Sequence, residues 1–142
     1  MTKKLRVDEN LFDYDDDLVV FDGEWFTGVG YLLFENGNGQ VEYETLYKNG
    51  LPHGYEKHWY PNGKLSYDQS VKNGAPHGTS RFWYENGQLK KERIAEYGIV
   101  LKETDYHIDG SVEGVYDINE DPNSYELLLS FRESRKNDGK EW

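Results

Sequence analysis

The sequence predicts a mainly β fold: a single-domain antiparallel meander of β-hairpin repeats that forms one twisted open sheet. Two segments beginning at Gly54 and Gly78, GYEKHWYPNGKL and GTSRFWYENGQL, share a glycine, a Trp-Tyr pair and an Asn-Gly pair at the same spacing. Self-similarity at such a period, 24 residues here, is typical of a repeat array. Asn-Gly pairs beginning at positions 36, 49, 62, 73 and 86 leave room for one short strand between successive turns.

The residues before these copies predict an arm and a hairpin. Residues 1–17 are polar and acidic, so we expect a short arm or edge with little core of its own. The apolar run LVVF (18–21) predicts a short buried strand, and Asp22-Gly23 predicts a two-residue turn, because both turn positions require a positive φ. A return strand is expected to begin at Glu24. From Gly28, the segment GVGYLLFENG aligns without gaps on the later copies, and we interpret it as a first, degenerate copy.

Side-chain alternation along a strand assigns the repeat residues to two faces. Trp59 and Trp83 fall on one face, and Tyr60 and Tyr84 fall on the other. We therefore expect stacked aromatic rows on both faces of the sheet. Two such faces exceed what one helix can cover, so an aromatic row is either core or the centre of a protein interface, and the sequence leaves both alternatives open.

Beyond Leu89 the repeat pattern weakens, but alternation continues and Asp109-Gly110 supplies a further turn, which predicts two or three more strands. The final segment differs. Asp121 can cap a helix with Pro122 at its first position, and Gly139 can end it. Strand alternation competes over the same residues, but we favour a helix that closes the open end of the sheet. Helical spacing is shown by Tyr125, Leu128, Leu129 and Arg132.

Charge divides the chain into three segments. Within one domain of 142 residues, the net charge of -11 is concentrated outside the repeats (about 22–92). Residues 1–26 carry three bases and eight acids, and residues 103–131 carry eight acids and no base, whereas residues 48–102 carry nine bases and five acids. The C-terminal part of the chain, residues 93–142, diverges from the repeat sequence. This distribution argues against nucleic acid or anionic lipid as the main partner and is compatible with a basic protein.

Composition predicts a cytoplasmic protein. The sequence contains no cysteine, which excludes disulfides, thiol catalysis and thiolate metal sites. The N-terminus lacks the apolar run of a signal peptide, and no segment approaches the roughly 20 apolar residues of a membrane helix.

Candidate chemistry is sparse, and we expect no enzymatic activity and no cofactor. The segment DYDDDLVVFDGE places carboxylates at calcium-loop spacing, but Leu18 stands where such a loop needs glycine, so a solvated acidic edge or a contact for basic partner residues is favoured. His53 and His77 occupy equivalent PHG positions and belong to the turn pattern, since zinc requires three or four converging ligands. The sequence contains no nucleophile elbow, phosphate loop or zinc motif.

The repeated G-x4-W/F-Y/F-x-N-G unit resembles the MORN-repeat variant family. The segments EWFTGVGYLLFENG, KNG-x-P-H-G and YENGQLKKE resemble its bacterial antitoxin and immunity branch, over about half of the chain. The resemblance implies a binding module without an active site that neutralises a cognate toxin, usually a nuclease or deaminase. The alternative is a membrane- or scaffold-associated repeat module, as in eukaryotic members, and a purely structural repeat protein is a third reading.

The sequence therefore predicts an immunity protein that blocks a basic toxin domain sterically and electrostatically, without binding nucleic acid or membrane itself. The aromatic rows would supply the desolvated contact, and the acidic segments would steer the partner. The predicted partner-binding residues are Asp13, Asp15, Asp16, Asp17, Asp22, Glu24, Trp59, Tyr60, Trp83, Tyr84, Asp117, Glu120 and Asp121.

Overall fold

The computed structural model describes residues 5–138, which form twelve strands, two 3-10 turns and one helix. The 3-10 turns are Glu9–Leu11 and Ile118–Glu120, and the helix α1 is Pro122–Asp138. The strands are β1 (Arg6–Asp8), β2 (Asp13–Asp15), β3 (Leu18–Phe21), β4 (Glu24–Trp25), β5 (Gly28–Leu33), β6 (Val41–Lys48), β7 (Leu51–Trp59), β8 (Leu65–Lys72), β9 (Ala75–Trp83), β10 (Leu89–Glu96), β11 (Ile99–Tyr106) and β12 (Val112–Asp117).

Nine strands form one open sheet in the order β1-β5-β6-β7-β8-β9-β10-β11-β12, and β2, β3 and β4 form a second, three-stranded sheet. From β5 to β12 every neighbour is antiparallel and consecutive in the chain, which confirms the predicted meander. β1 is the exception, because it runs parallel to β5 at one edge. The three strands after Trp83 confirm the prediction of two or three.

Two turn types alternate along this sheet. At one end, Asn49-Gly50 and Asn73-Gly74 have positive φ at both residues, as the tightest hairpin turns require. Tyr97-Gly98 adopts the same conformation, with φ of 55° and 79°. This turn fills the long gap that the sequence leaves between Gly87 and Asp109. The repeat therefore continues through β11, although a tyrosine stands where asparagine would favour the left-handed conformation.

At the other end, the turns are wider and have only their glycine at positive φ. The amide of Gly63 donates to the carbonyl of Tyr60, and Gly87 and Gly110 make the same bond to Tyr84 and His107. In each turn the Asn or Asp side chain accepts the amide two residues later. The Asp109-Gly110 turn is therefore equivalent to the two Asn-Gly turns of this type.

Hydrogen bonds between the repeats explain the aligned positions. The amides of Gly50, Gly74 and Gly98 donate to the carbonyls of Phe26, Pro52 and Pro76, which occupy the same position in three successive copies. The residue after each of these carbonyls also accepts a turn amide. Thr27 Oγ1 accepts from Asn49, His53 Nδ1 from Asn73 and His77 Nδ1 from Tyr97, at 2.9, 3.2 and 3.1 Å. The degenerate first copy is thus a structural repeat.

The leading glycine of each copy lies close to another segment of the chain. A Cβ on Gly28 would collide with the carbonyl oxygen of Leu5, and one on Gly54 would lie 2.7 Å from Leu46 Cδ2. Both glycines also have positive φ, 150° and 122°. At Gly28 the obstacle is backbone, so space as well as conformation requires glycine there, whereas at Gly54 the Leu46 side chain can shift and conformation is the stronger requirement.

The buried core lies at the N-terminal end. Val7, Phe12, Val19 and Phe26 form one buried cluster, and the Phe12 and Phe26 ring centroids are 4.8 Å apart. The expectation that residues 1–17 have little core was wrong. Val7 and Phe12 are isolated apolar residues among acids, and they are buried because β1 and the Glu9–Leu11 turn fold across β5 and β6.

The two faces of the large sheet differ in chemistry. One carries a row of alternating charges, in which Glu44, Lys57, Asp68, Arg81 and Glu92 are register partners on successive strands. Such opposite-charge pairs across strands each stabilise a sheet modestly. We call this surface the charged face.

The opposite face, which we call the aromatic face, carries Tyr43, His58, Tyr67 and Phe82 in one row. Successive ring centroids lie 5.3, 5.1 and 4.6 Å apart. The predicted rows of stacked Trp59/Trp83 and Tyr60/Tyr84 were wrong. β8 lies between β7 and β9, so equivalent residues of successive copies are two strands apart and cannot stack.

The C-terminal helix confirms the preference for helix over strand. Asp121 caps it: its Oδ1 accepts the amide of Ser124 at 3.2 Å, and Pro122 occupies the first helical position. Leu128 is its buried residue, with 1% of its surface exposed. The predicted stop at Gly139 lies outside the described residues.

Helix α1 is anchored at the β10–β11 turn. Arg132 makes a bidentate ion pair with Glu96 (2.8 and 2.7 Å), and Phe131 stacks on Tyr97 with ring centroids 6.1 Å apart. The helix therefore packs near a turn at the C-terminal end of the sheet. Among the described residues, β11 is the one strand that pairs with β12, so the sheet is open at that edge.

Candidate partner-binding surface

Exposed apolar side chains are concentrated in the two acidic segments. Between residues 27 and 93, all of which the structure describes, every large apolar side chain is at least half-buried. The exposed ones are Leu5, Leu11, Tyr14 and Trp25 on the N-terminal side, and Ile94, Ile108, Val112, Val115, Tyr125, Leu127, Leu129 and Phe131 on the C-terminal side. Exposed apolar area that coincides with strong charge is typical of protein-binding surfaces.

The N-terminal surface is the three-stranded sheet β2–β4, which we call the acidic sheet. Its inner side chains Val19 and Phe21 pack into the buried cluster. Its backbone is joined to the large sheet at Gly50, whose carbonyl accepts the amide of Val19 and whose amide donates to Phe26. The acidic sheet is therefore held rigidly against the end of the β6–β7 hairpin.

The outer side of the acidic sheet is apolar in the middle and acidic around it. Val20 lies opposite Trp25 on one side and Asp13 on the other, and Leu18 lies opposite Asp15. The Trp25 ring is 56% exposed, and its Nε1 donates to Asp15 Oδ2 at 3.3 Å. This bond fixes a large aromatic ring in an accessible position.

All six predicted residues of the N-terminal segment converge on this sheet. Asp13 and Asp15 lie on β2, and Asp16 and Asp17 form the β2–β3 turn. Asp22 lies in the β3–β4 turn with Gly23, and Glu24 begins β4. All six are exposed. Sequence reasoning missed the apolar strip formed by Leu18, Val20 and Trp25. Alternation along LVVF would have identified two of its members, because Leu18 and Val20 must face outward when Val19 and Phe21 face the core.

The three predicted C-terminal acids lie at the far end of the large sheet: Asp117 ends β12, and Glu120 and Asp121 follow it. Two of them have structural partners. Asp117 Oδ1 accepts the amide of Asn119, and Asp121 bonds Ser124 and the hydroxyl of Tyr116. The bonds from Ser124, and then that from Tyr116, lower the pKa of Asp121. Glu120 is exposed in the 3-10 turn.

The four predicted aromatic residues serve the scaffold. Tyr60 and Tyr84 lie just beyond the ends of β7 and β9, and their hydroxyls donate to the carbonyls of Trp83 and Tyr106 at 2.6 and 2.8 Å. Each therefore ties one repeat to the next. Trp59 and Trp83 are partly buried at the strand ends. Sequence reasoning missed the aromatic row of Tyr43, His58, Tyr67 and Phe82, because Tyr43 and Tyr67 lie on the intervening strands, outside the segments that the copies share.

Ionisable groups on the aromatic face are shifted by burial. Burial raises the pKa of Tyr47, and the neighbouring Glu9, which accepts its hydroxyl at 2.9 Å, acts in the same direction. Burial also raises the pKa of Glu56, against the hydrogen bond from Gln69, and lowers the pKa of His58. In each case burial disfavours the charged form of the group.

The described residues contain neither a metal-binding cluster nor a membrane-spanning helix. Among residues 5–138, no group of three or more His, Asp or Glu side chains is arranged to hold a metal ion. Leu18–Phe21 is a strand, so the calcium-loop spacing does not correspond to a loop. No helix in the same range is long and apolar enough to cross a membrane.

Comparison with known proteins identifies the family. The MORN repeat variant family matches residues 52–73 and 76–94, which run from the start of β7 through most of β10. The chain is 47% identical over 135 residues to "Immunity protein YwqK" of Bacillus subtilis (strain 168), which covers 95% of this chain and 84% of that protein. No solved structure matches the chain. The chain belongs to the MORN-repeat variant family, in the branch that includes this immunity protein.

Proposed function

We propose that this protein is an immunity protein that binds and neutralises a cognate toxin domain. The observation that carries the proposal is the 47% identity, along nearly the whole chain, to a protein named as an immunity protein. Because the matched region includes both acidic segments as well as the repeats, the similarity extends to the surfaces where exposed apolar and acidic residues coincide. The protein acts by binding and not by catalysis.

The acidic segments favour a basic toxin domain. We expect it to be a nuclease or a deaminase, because enzymes that act on nucleic acid carry cationic surfaces. Eight acids in residues 1–26 give the N-terminal end a negative field that attracts such a surface. The Trp25 ring, with Leu18 and Val20 beside it, then supplies the apolar centre that a stable contact requires. Neutralisation follows when the acidic sheet occupies the surface that the toxin's nucleic-acid substrate needs.

Coexpression with a candidate toxin domain taken from a neighbouring reading frame tests the proposal. We expect growth of toxin-producing cells to be restored and a stable complex to elute as one species in size-exclusion chromatography. An unrelated toxin of the same chemical class serves as the specificity control and should not be bound. If cells expressing the folded chain still die and no complex forms at micromolar concentrations, the immunity function is wrong.

A further inference from the structure

We propose that the open edge of β12 is a second docking site, which receives an extended, basic segment of the toxin partner as an added strand. This inference rests on the proposed immunity function, and it assigns to the C-terminal segment a role distinct from that of the acidic sheet. Strand addition at a sheet edge is a general mode of peptide recognition, in which backbone hydrogen bonds supply affinity and alternate side chains supply specificity.

The backbone of β12 is available for pairing. β12 spans six residues, Val112–Asp117, and within residues 5–138 β11 is the one strand that pairs with it. An edge strand presents a row of unpaired N–H and C=O groups on its outer side. At the opposite edge, β1 is only three residues long. The β12 edge is therefore the longer of the two open edges of the large sheet.

The side chains along this edge are unusually apolar for a solvent-facing strand. Val112 and Val115 are 55% and 58% exposed. They lie opposite Tyr106 and Thr104, and the register shift between Asp105 and Tyr106 places both on the charged face although they are three residues apart. Beyond that shift, the pairing with β11 is regular from Gly114 to Asp117. Edges that avoid pairing carry lysine, proline, a bulge or a covering segment, and the sequence VEGVYD contains neither lysine nor proline.

The charges around β12 favour a basic occupant. Residues 103–131 contain eight acids and no base, including Glu113 and Asp117 on the strand itself. A second copy of this chain would bring an identical acidic segment to the edge, and like charges placed opposite each other destabilise a strand pair. An extended toxin segment that alternates Lys or Arg with β-branched residues would form backbone hydrogen bonds along the edge and offset its negative charge.

Hydrogen–deuterium exchange on the purified complex with the neighbouring toxin domain tests this assignment. We expect amides of residues 112–117 that exchange rapidly in the free chain to become protected in the complex. If the complex forms and these amides exchange as rapidly as before, the edge assignment is wrong while the immunity function stands. If no complex forms, the immunity function itself fails. If the amides are already protected in the free chain, increasingly so with concentration, a second copy occupies the edge and the assignment is overturned.

A pair of variants provides an independent readout. Val115→Lys removes an exposed apolar group and adds a positive charge at the edge, and we expect the Kd for the toxin domain to rise at least tenfold. Ile94→Lys is the matched control: Ile94 is also exposed, but it lies on β10, which is paired on both sides. It should change the Kd less than threefold. Equal effects of the two substitutions would contradict docking at β12.

Discussion

The repeats and the acidic segments that flank them differ in how they treat apolar and charged residues. In the repeats, large apolar side chains are sheltered, and charges of opposite sign alternate along one row from Glu44 to Glu92. In the flanks, Trp25 and Val115 are more than half exposed, and acids are unbalanced by bases. The repeats shelter their apolar side chains and pair charges of opposite sign across strands, whereas the flanks leave apolar and acidic groups exposed.

This difference separates the scaffold from the surface that distinguishes the protein. Turn amides, tyrosine hydroxyls and leading glycines perform the same task in successive copies, so they are expected to be shared with other proteins built from this repeat. The acidic sheet and the β12 edge lie outside the copies, and each occurs once. Four experiments test how far the scaffold and the partner-binding surfaces are independent.

The largest expected effect is on the free energy of unfolding, through the buried cluster. Here the repeats and the flanks differ least, because the N-terminal flank also contributes to the core. Phe12→Ala removes a ring packed against Phe26, and we expect a loss of about 3–5 kcal/mol in the free energy of unfolding. Urea denaturation monitored by tryptophan fluorescence measures this loss. Leu11→Ala, one residue earlier and exposed, is the control and should change stability by less than about 0.5 kcal/mol. Similar values for the two variants would mean that the arm is not part of the core.

The next effect concerns the glycines that set the spacing of the copies. Gly54→Ala requires a backbone conformation that alanine avoids and places a Cβ 2.7 Å from Leu46 Cδ2, and we expect a loss of about 2 kcal/mol, because the strain adds to the repacking of the Leu46 side chain. Gly37→Ala has a positive φ but open space, so strain alone should cost about 1 kcal/mol. Thermal unfolding of both variants measures the difference. A Gly37 variant as unstable as the Gly54 variant would contradict the role of close approach.

Charge reversal in the flank tests the proposed steering of the toxin. Asp13→Lys combined with Asp17→Lys should slow association with the toxin domain about tenfold at low ionic strength and flatten its salt dependence. Stopped-flow fluorescence at several salt concentrations measures both. The matched control is Glu35→Lys with Glu85→Lys, which makes the same change in net charge at exposed turns of the repeats. Among the C-terminal acids Glu120 is suitable for the same test, since Asp117 and Asp121 cap turns and their reversal would also perturb folding. Equal slowing by the flank and repeat pairs would rule out local steering.

The smallest expected effect is the pH dependence of the repeats. Burial lowers the pKa of His77, and the charge of Lys72 acts in the same direction, so the folded chain binds this proton less readily than the unfolded chain. Stability should therefore be fully present above about pH 6.5, the ordinary histidine pKa, and should decrease as the pH falls below it. The hydrogen bond to the turn also requires the neutral form, because Nδ1 must be unprotonated to accept the amide of Tyr97.

His77→Thr tests this dependence, because threonine can accept the turn amide as Thr27 does in the first copy, but it does not titrate. Denaturation midpoints measured from pH 7 to pH 5 should fall less steeply for the variant than for the unmodified chain. Identical slopes for the two proteins would show that His77 does not contribute to the pH dependence.

Much of the scaffold was determined by the sequence itself. Asn-Gly and Asp-Gly pairs specify hairpin turns, because few other residues adopt positive φ without strain, and their spacing specifies strand length. Asp121 followed by Pro122 specified the start of the helix in the same local way. The identity of the repeat, and with it the family, also follows from residues close together in the chain.

Other features were decided only by the tertiary structure, because they depend on which strands become neighbours. The aromatic row could not be obtained from the copies alone, since Tyr43 and Tyr67 join it from intervening strands. The burial of Val7 and Phe12 required the parallel pairing of β1 with β5, between segments about twenty residues apart in the chain. Tyr97 gave no turn signal by its residue type. It adopts a positive φ where His77 accepts its amide and Phe131 stacks on its ring, and where Pro76 accepts the amide of the next residue, Gly98. Local residue preferences thus determined the hairpins, whereas long-range packing decided which side chains are buried and which remain exposed for a partner.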